Sequence, residues 1–381
     1  MDLCITDKTI LEKEEGFFHK IDTFSHTDDM ETLKNRACHF KETVLEFNPD
    51  APEQIDLRDK HLACTENLGG HVRKIISEQF KIQRKTYEEF VAIYQSDRPS
   101  WFEKLLSGLS QGVEQLSPDL HNLKLNRFHC ALEYIPGIST PLRTYFLGFE
   151  QSRTDMEQVI ESLKHGVEWL QQKSSLLLEH MERLTALSQS LDRAICLGRL
   201  MDGALSDAMT NEVPKGDPRK RFINDELLCR LRLRMDILRL QMDSNRLGLI
   251  TLEILYRNNQ ELIRGLEQSK DAIVNAFNLG AVCSYAITHQ KIIHGGLGQN
   301  LGELELPDRS IKPAQHMENL KLAFNRVLSC DHEIRAFMAG VGPIVERTLS
   351  DLIRLQKKTD STFLKMKKTS TAGMGDELFD P

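Results

Sequence analysis

Residues 251–291 read TLEILYRNNQELIRGLEQSKDAIVNAFNLGAVCSYAITHQK. Within this stretch Thr251, Ile254, Asn258, Leu262, Gly265, Ser269, Ile273, Ala276, Gly280, Cys283 and Ile287 follow one another at intervals of 3 or 4 residues. Their mean spacing is that of one face of an α-helix, about 3.6 residues per turn, and the face is expected to be buried. Much of it repeats every 11 residues in three turns, which favours a straight or slightly right-handed helix over the left-handed supercoil of strict heptads. Gly265, Ser269, Ala276 and Gly280 put little or no side chain on the face, so a neighbouring helix backbone is expected to come close there. Glycine inside a helix costs about 1 kcal/mol relative to alanine, and two on one seam point to close packing as the compensation.

Working outward, a second long helix is expected to start at Thr140-Pro141, an N-cap hydroxyl followed by a proline whose missing N–H would have been unpaired anyway. From there Leu142, Phe149, Met156, Leu163, Leu170, Leu177, Leu184 and Leu191 recur every seven residues. Phe146, Ile160, Val167, Met181 and Ile195 fill most companion positions, while Arg153, Ser174 and Ser188 interrupt them. This is a coiled-coil-like pattern. The stretch Asn211-Glu212-Val213-Pro214-Lys215-Gly216-Asp217-Pro218 then reads as a hinge, after which a helix from about Arg219 to His294 returns antiparallel along the first. Gly295-Gly296-Leu297-Gly298 is expected to end it. A loop with Pro307 and Pro313 leads to a helix from about Ala314 to about Lys368, expected to kink or break at Gly340-Val341-Gly342-Pro343.

The expected fold class is therefore all-α, an elongated bundle of long antiparallel, coiled-coil-like helices. Residues 1–98 read as a variable, loosely attached helical region, in which Lys74–Gln95 is the clearest helix, with Ile75, Gln79, Ile82, Thr86, Phe90 and Ile93 along one face. Residues 99–213 hold an amphipathic segment and the long heptad helix, 219–368 the opening stretch and the C-terminal helix, and 369–381 a disordered tail. Composition agrees. Of 381 residues 28% are charged and only 7% aromatic, which suits long helices better than compact sheets.

The formal charge of −7 argues against wholesale nucleic-acid binding, which relies on a basic footprint. The N-terminus lacks the basic-then-apolar layout of a signal peptide and no apolar run reaches the length of a membrane span, so a cytoplasmic location is expected. Eight cysteines are scattered without a C-x-x-C pair, the pattern of reduced thiols.

Taken together, Pro136-Gly137 with Leu142-Arg143-Thr144-Tyr145-Phe146, the run Asn258-Asn259-x-Glu261-Leu262-Ile263-Arg264-Gly265, and the Leu320, Phe324, Ile334-Arg335 pattern resemble the TelA (KlaA) family of toxic anion (tellurite) resistance proteins. The resemblance spans roughly Leu116 to Leu355 and implies a resistance phenotype without naming a reaction.

Four constellations carry candidate chemistry. Arg257, Asn258, Asn259, Glu261 and Arg264 combine guanidinium forks and amides, a pattern that suits an oxyanion or a partner contact. The plainer reading is a salt-bridged helix face on which Asn258 sets helix register. His39 beside Cys38, His129 beside Cys130 and His61 near Cys64 lack the paired spacing of a zinc site, so no metal or other cofactor is expected. Lys215, Arg219, Lys220, Arg221, Arg230, Arg232, Arg234 and Arg239 outnumber Asp217, Asp225, Glu226 and Asp236, an excess that would suit an anionic membrane surface and peripheral attachment at the inner membrane. Among the cysteines, Cys229 stands beside Arg230 and Cys283 lies on the seam. No Walker loop, dinucleotide fingerprint or nucleophile elbow is present. The leading expectation is a non-enzymatic helical scaffold that partners other proteins of a stress response. The rival expectations are a thiol-dependent oxyanion reductase or sequestering protein, and a membrane-surface binder.

Overall fold

The computed structural model describes residues 29–94, 100–121, 141–294 and 313–372, and these are helical throughout apart from short connections, with no strand among them. Helix α1 is Met30–Glu46, capped by Asp29, whose carboxylate accepts from the Thr32 amide at 2.8 Å. Helices α2 (Ile55–Asn67) and α3 (Gly70–Tyr94) follow, joined at Gly69, whose φ is 66°. Helix α4 (Trp101–Leu116) opens on a Ser100 cap that accepts from Glu103 N at 3.1 Å. Next come α5 (Pro141–Gln151) and α6 (Arg153–Asn211, 59 residues). The chain then turns into α7 (Pro218–Arg221), a π-helical segment Phe222–Leu228, α8 (Cys229–His294, 66 residues) and α9 (Pro313–Ala372, 60 residues). The expected signals at Pro136–Thr140, at Gly295–Gly298 and at Pro307, and most of the expected tail, lie outside the described residues.

The chain forms two compact units. The first takes residues up to Tyr87, Leu178–Ile254 and those from Glu346 on, and the second takes Glu88–Leu177 and Leu255–Val345. The long helices α3, α6, α8 and α9 therefore contribute to both.

All eight expected heptad positions from Leu142 to Leu191 are buried. The expected single helix is interrupted only at Ser152, where bonds from Ser152 N to Gly148 O and from Met156 N to Ser152 O carry the helical pattern across. On α8 the most deeply buried positions also fall every seven residues: Leu231, Leu238, Asn245, Leu252, Asn259, Leu266 and Ile273 are 0–1% exposed, and Gly280 continues the series. Gln241, Gly248, Leu255, Leu262, Ser269, Ala276 and Cys283 form the buried companion set.

This corrects the expected 11-residue repeat. From Leu262 onward most of the expected face coincides with the heptad positions, but before it the face is displaced by one residue, because Leu255 and Asn259 are buried where Ile254 and Asn258 are half-buried. An 11-residue repeat drifts around a helix differently from a heptad repeat, and a seam facing another heptad helix must keep the same period.

Three further expectations change. On α3 the buried face runs through Ile76, Phe80, Gln83, Tyr87 and Phe90, leaving Ile82 51% exposed, because the large aromatic rings gain more from burial than the isoleucine. The helix expected to begin near Arg219 does begin there, with the α-helical turn Pro218–Arg221, but then widens into the π segment Phe222–Leu228, which holds about one residue more per turn than an α-helix, with Phe222 edge-on against Phe47. Helix α9 continues through Pro343 without a break, with Ile334, Val345 and Leu352 buried on either side of it.

Candidate functional site

In the second unit the Asn259 side chain, fully buried, donates both amide hydrogens to α6: one to the Leu170 carbonyl and one to the Ser174 hydroxyl oxygen, each at 2.6 Å. Gln260 Nε2 donates to the same hydroxyl at 3.0 Å. A buried amide without such partners would cost about 1–3 kcal/mol, so the bonds strongly favour one pairing of the two helices. Asn259, rather than Asn258, is thus the asparagine of the seam, and Asn258 is half-buried beside it.

The first unit contains the same arrangement. Asn245 Nδ2 donates to the Leu184 carbonyl at 2.8 Å and to Ser188 Oγ at 2.5 Å. Asn245 precedes Asn259 by 14 residues, while Leu184 and Ser188 follow Leu170 and Ser174 by 14, as an antiparallel heptad pair in constant register requires. The two serines that seemed only to interrupt the leucine heptads are the acceptors of these clamps. A signal for the Asn245 clamp was present in the chain: two seam asparagines and two heptad serines, each pair two heptads apart.

The charged members of the expected cluster do not join Asn259. Arg257, Glu261 and Arg264 are exposed on the outer side of α8, and Arg264 pairs with Glu261 at 3.6 Å. Of the small residues, Ser269, Ala276 and Gly280 are buried and Gly265 is half-buried. A side-chain carbon added at Gly265 would sit 2.7 Å from Ile334 Cγ1, and one at Gly280 would fall on the Phe149 ring, which stacks on Phe277 at 4.9 Å. Large side chains from α9 and α5 therefore enter these spaces, where a helix backbone was expected. Ser269, also buried, returns its hydroxyl to the Gly265 carbonyl at 3.0 Å, and Ala276 is fully buried.

Most arginines of the basic segment are engaged within the first unit. Arg219 binds Asp217 and the Leu45 carbonyl, Arg221 lies 4.0 Å from Asp225, Arg230 pairs with Glu66, Arg232 with Asp202 and Arg239 with Asp236. Arg234 is buried and donates from Nε to the Leu68 carbonyl at 2.6 Å, tying α8 to the turn between α2 and α3. Lys215 and Lys220 complete the set.

Cys283 is buried, donates to the His316 carbonyl at 3.4 Å, and has its thiol pushed up to about 11 by burial. Burial also raises Cys330. Cys229 is exposed, but its neighbour Arg230 is occupied by Glu66. Among the described residues no group of three histidine, cysteine or acidic side chains is placed to hold a metal ion, and no helix is long and apolar enough to cross a membrane.

No curated relative and no solved structure matches the chain. A family model described as toxic anion resistance protein (TelA) matches residues 71–294. The match begins within α3, earlier than the motifs quoted above, and stops at the end of α8, so it leaves out the Leu320–Arg335 pattern of α9. It covers both clamps and the whole α6–α8 pair, well over half of the chain, and on that ground the protein belongs to the TelA family of toxic anion resistance proteins.

Proposed function

We propose that the protein serves toxic anion resistance as a non-enzymatic helical scaffold. The observation that carries this reading is the repeated asparagine clamp. At the place where the family resemblance is densest, Asn259 faces inward and is engaged in pairing α8 with α6, and its counterpart Asn245 does the same 14 residues earlier. Groups used for register are unavailable for chemistry, while the outward charged side chains beside them can meet other proteins of a stress response. The thiol-dependent alternative is less favoured: Cys283 is buried with a raised pKa, and a thiol must ionise to act on an oxyanion. The membrane-surface alternative is weakened by the internal partners of the basic segment.

The test is tellurite resistance at matched expression. The double variant Cys229→Ser, Cys283→Ala should retain most of it, and Gly265→Leu should abolish it by forcing α8 and α9 apart. Loss of resistance in the double cysteine variant together with survival in Gly265→Leu would replace the scaffold by thiol chemistry.

A further inference from the structure

Three helices of the first unit line one cavity of about 150 Å³ with polar side chains. On α3, Arg73, Lys81 and Arg84 stand 8 and 3 residues apart, at helical spacing on one face. On α8 the lining is Gln241 and Ser244, both buried, and on α9 it includes Asp360. Three cations thus meet one carboxylate, which approaches Arg73 at 3.6 Å.

Two features point to a ligand rather than to a solvated groove. The Ser244 hydroxyl oxygen is buried, the residue being 1% exposed, and has no hydrogen-bond partner among the described residues. A buried hydroxyl is ordinarily satisfied. Arg73 is partly desolvated, burial lowering its pKa against the opposing effect of Asp360, and an anion beside a desolvated cation favours its charged form. Size narrows the choice. The cavity holds roughly five water volumes at about 30 Å³ each, room for one small oxyanion with residual water, and falls short of the roughly 300–1,000 Å³ of sites for larger organic ligands.

We propose that this cavity binds a small inorganic oxyanion, with Arg73, Lys81 and Arg84 supplying charge, Gln241 and Ser244 neutral hydrogen bonds, and Asp360 competing with the anion for Arg73. Guanidinium groups suit the paired oxygens of such ions. The site goes beyond the scaffold reading and is independent of it, because neither clamp contributes to the lining.

The experiment is titration calorimetry of the full chain with tellurite, with phosphate and with glycerol phosphate. Wild type is expected to bind at least one inorganic ion, and to bind glycerol phosphate more weakly than phosphate. Lys81→Gln, at an exposed position that the fold tolerates, should weaken binding about tenfold. Asp360→Asn should tighten it several-fold, a change of opposite sign that general destabilisation does not produce. Thermal melts establish that each variant is folded. Absence of binding to both inorganic ions, or equal affinity in all three proteins, overturns the proposal. Equal or tighter binding of glycerol phosphate overturns the inorganic assignment in favour of phosphate esters.

Discussion

The asparagine clamp occurs once in each unit with nearly the same bonds, yet what covers the clamped helix pair differs. In the first unit the covering helices α1 and α2 are tied down by charge: Arg58 grips both carboxylate oxygens of Glu226, Lys41 reaches Glu212, and Arg230 pairs with Glu66. Its aromatic contacts centre on His61, stacked on Phe47 at 5.0 Å, with Nδ1 donating to the Leu57 carbonyl at 2.7 Å and Nε2 facing Thr43 Oγ1 at 3.2 Å. The second unit is richer in ring contacts. Phe149 meets Phe277, Phe324 and Tyr145, and Trp169 meets Trp101 and Phe90. Polar ties are present there as well: Arg335 bridges Glu103 and Asp331, Lys173 pairs with Glu89, Lys321 with Asp119 at 3.0 Å, and Tyr145 donates to the Leu116 carbonyl at 2.7 Å. Helix pairing and helix covering are thus separate problems in this fold, and the chain solves the first the same way twice and the second with ion pairs in both units and more ring contacts in the second.

The largest expected effect breaks what the units share. Asn259→Asp replaces a double donor by a buried carboxylate facing the Leu170 carbonyl, and should cost about 3–5 kcal/mol at neutral pH. Asn259→Leu should be neutral or stabilising by about 1 kcal/mol, because Ser174 keeps its bond from Gln260 and the Oδ1 atom, buried without a partner among the described residues, is removed. Urea unfolding of both variants checks the contrast. A destabilised leucine variant would show that the asparagine contributes stability rather than register.

The second prediction separates the units by pH. Burial lowers the His61 pKa from its ordinary 6.5 to about 4, so the folded state holds a neutral ring where the unfolded chain binds a proton. The resulting stability is complete above about pH 6.5 and is lost as pH falls towards 4, in total about 3 kcal/mol at 1.36 kcal/mol per pKa unit. Hydrogen exchange across that window should show α1 and α2 losing protection before α4. His61→Phe should flatten the dependence, and unchanged pH profiles in the two proteins would remove His61 as its source.

The third and smallest effect tests the ring packing. At Gly280 an added methyl meets the Phe149 ring, and overpacking of about 1–3 kcal/mol should exceed the roughly 1 kcal/mol that alanine gains over glycine in a helix. Gly280→Ala should therefore destabilise. Gly203→Ala is its control, since nothing lies within 4 Å of an added carbon there, and it should stabilise by about 0.5–1 kcal/mol. Denaturant midpoints that move the same way in both variants would refute the packing account.

What the amino-acid order determined by itself is the helical fold and its main pairing. The eight heptad positions from Leu142 to Leu191 are legible because a seven-residue apolar repeat has one economical solution in water, burial against another helix. The small-residue face from Leu262 to Cys283 is legible for the same reason. Sequence spacing alone set the seam before Leu262 one residue out of phase, on Ile254 and Asn258, because Asn258 and Asn259 are adjacent and chemically identical, and either can be fitted to a helical face. Only the tertiary structure decided between them, by setting the Leu170 carbonyl and the Ser174 hydroxyl opposite Asn259. The same holds for Arg230 and Arg234, which read as surface charge until Glu66 and the Leu68 carbonyl are brought to them from more than 160 residues away. Local spacing records which face of a helix is buried, whereas the partners of a buried polar group are distant in the chain and appear only when the helices meet.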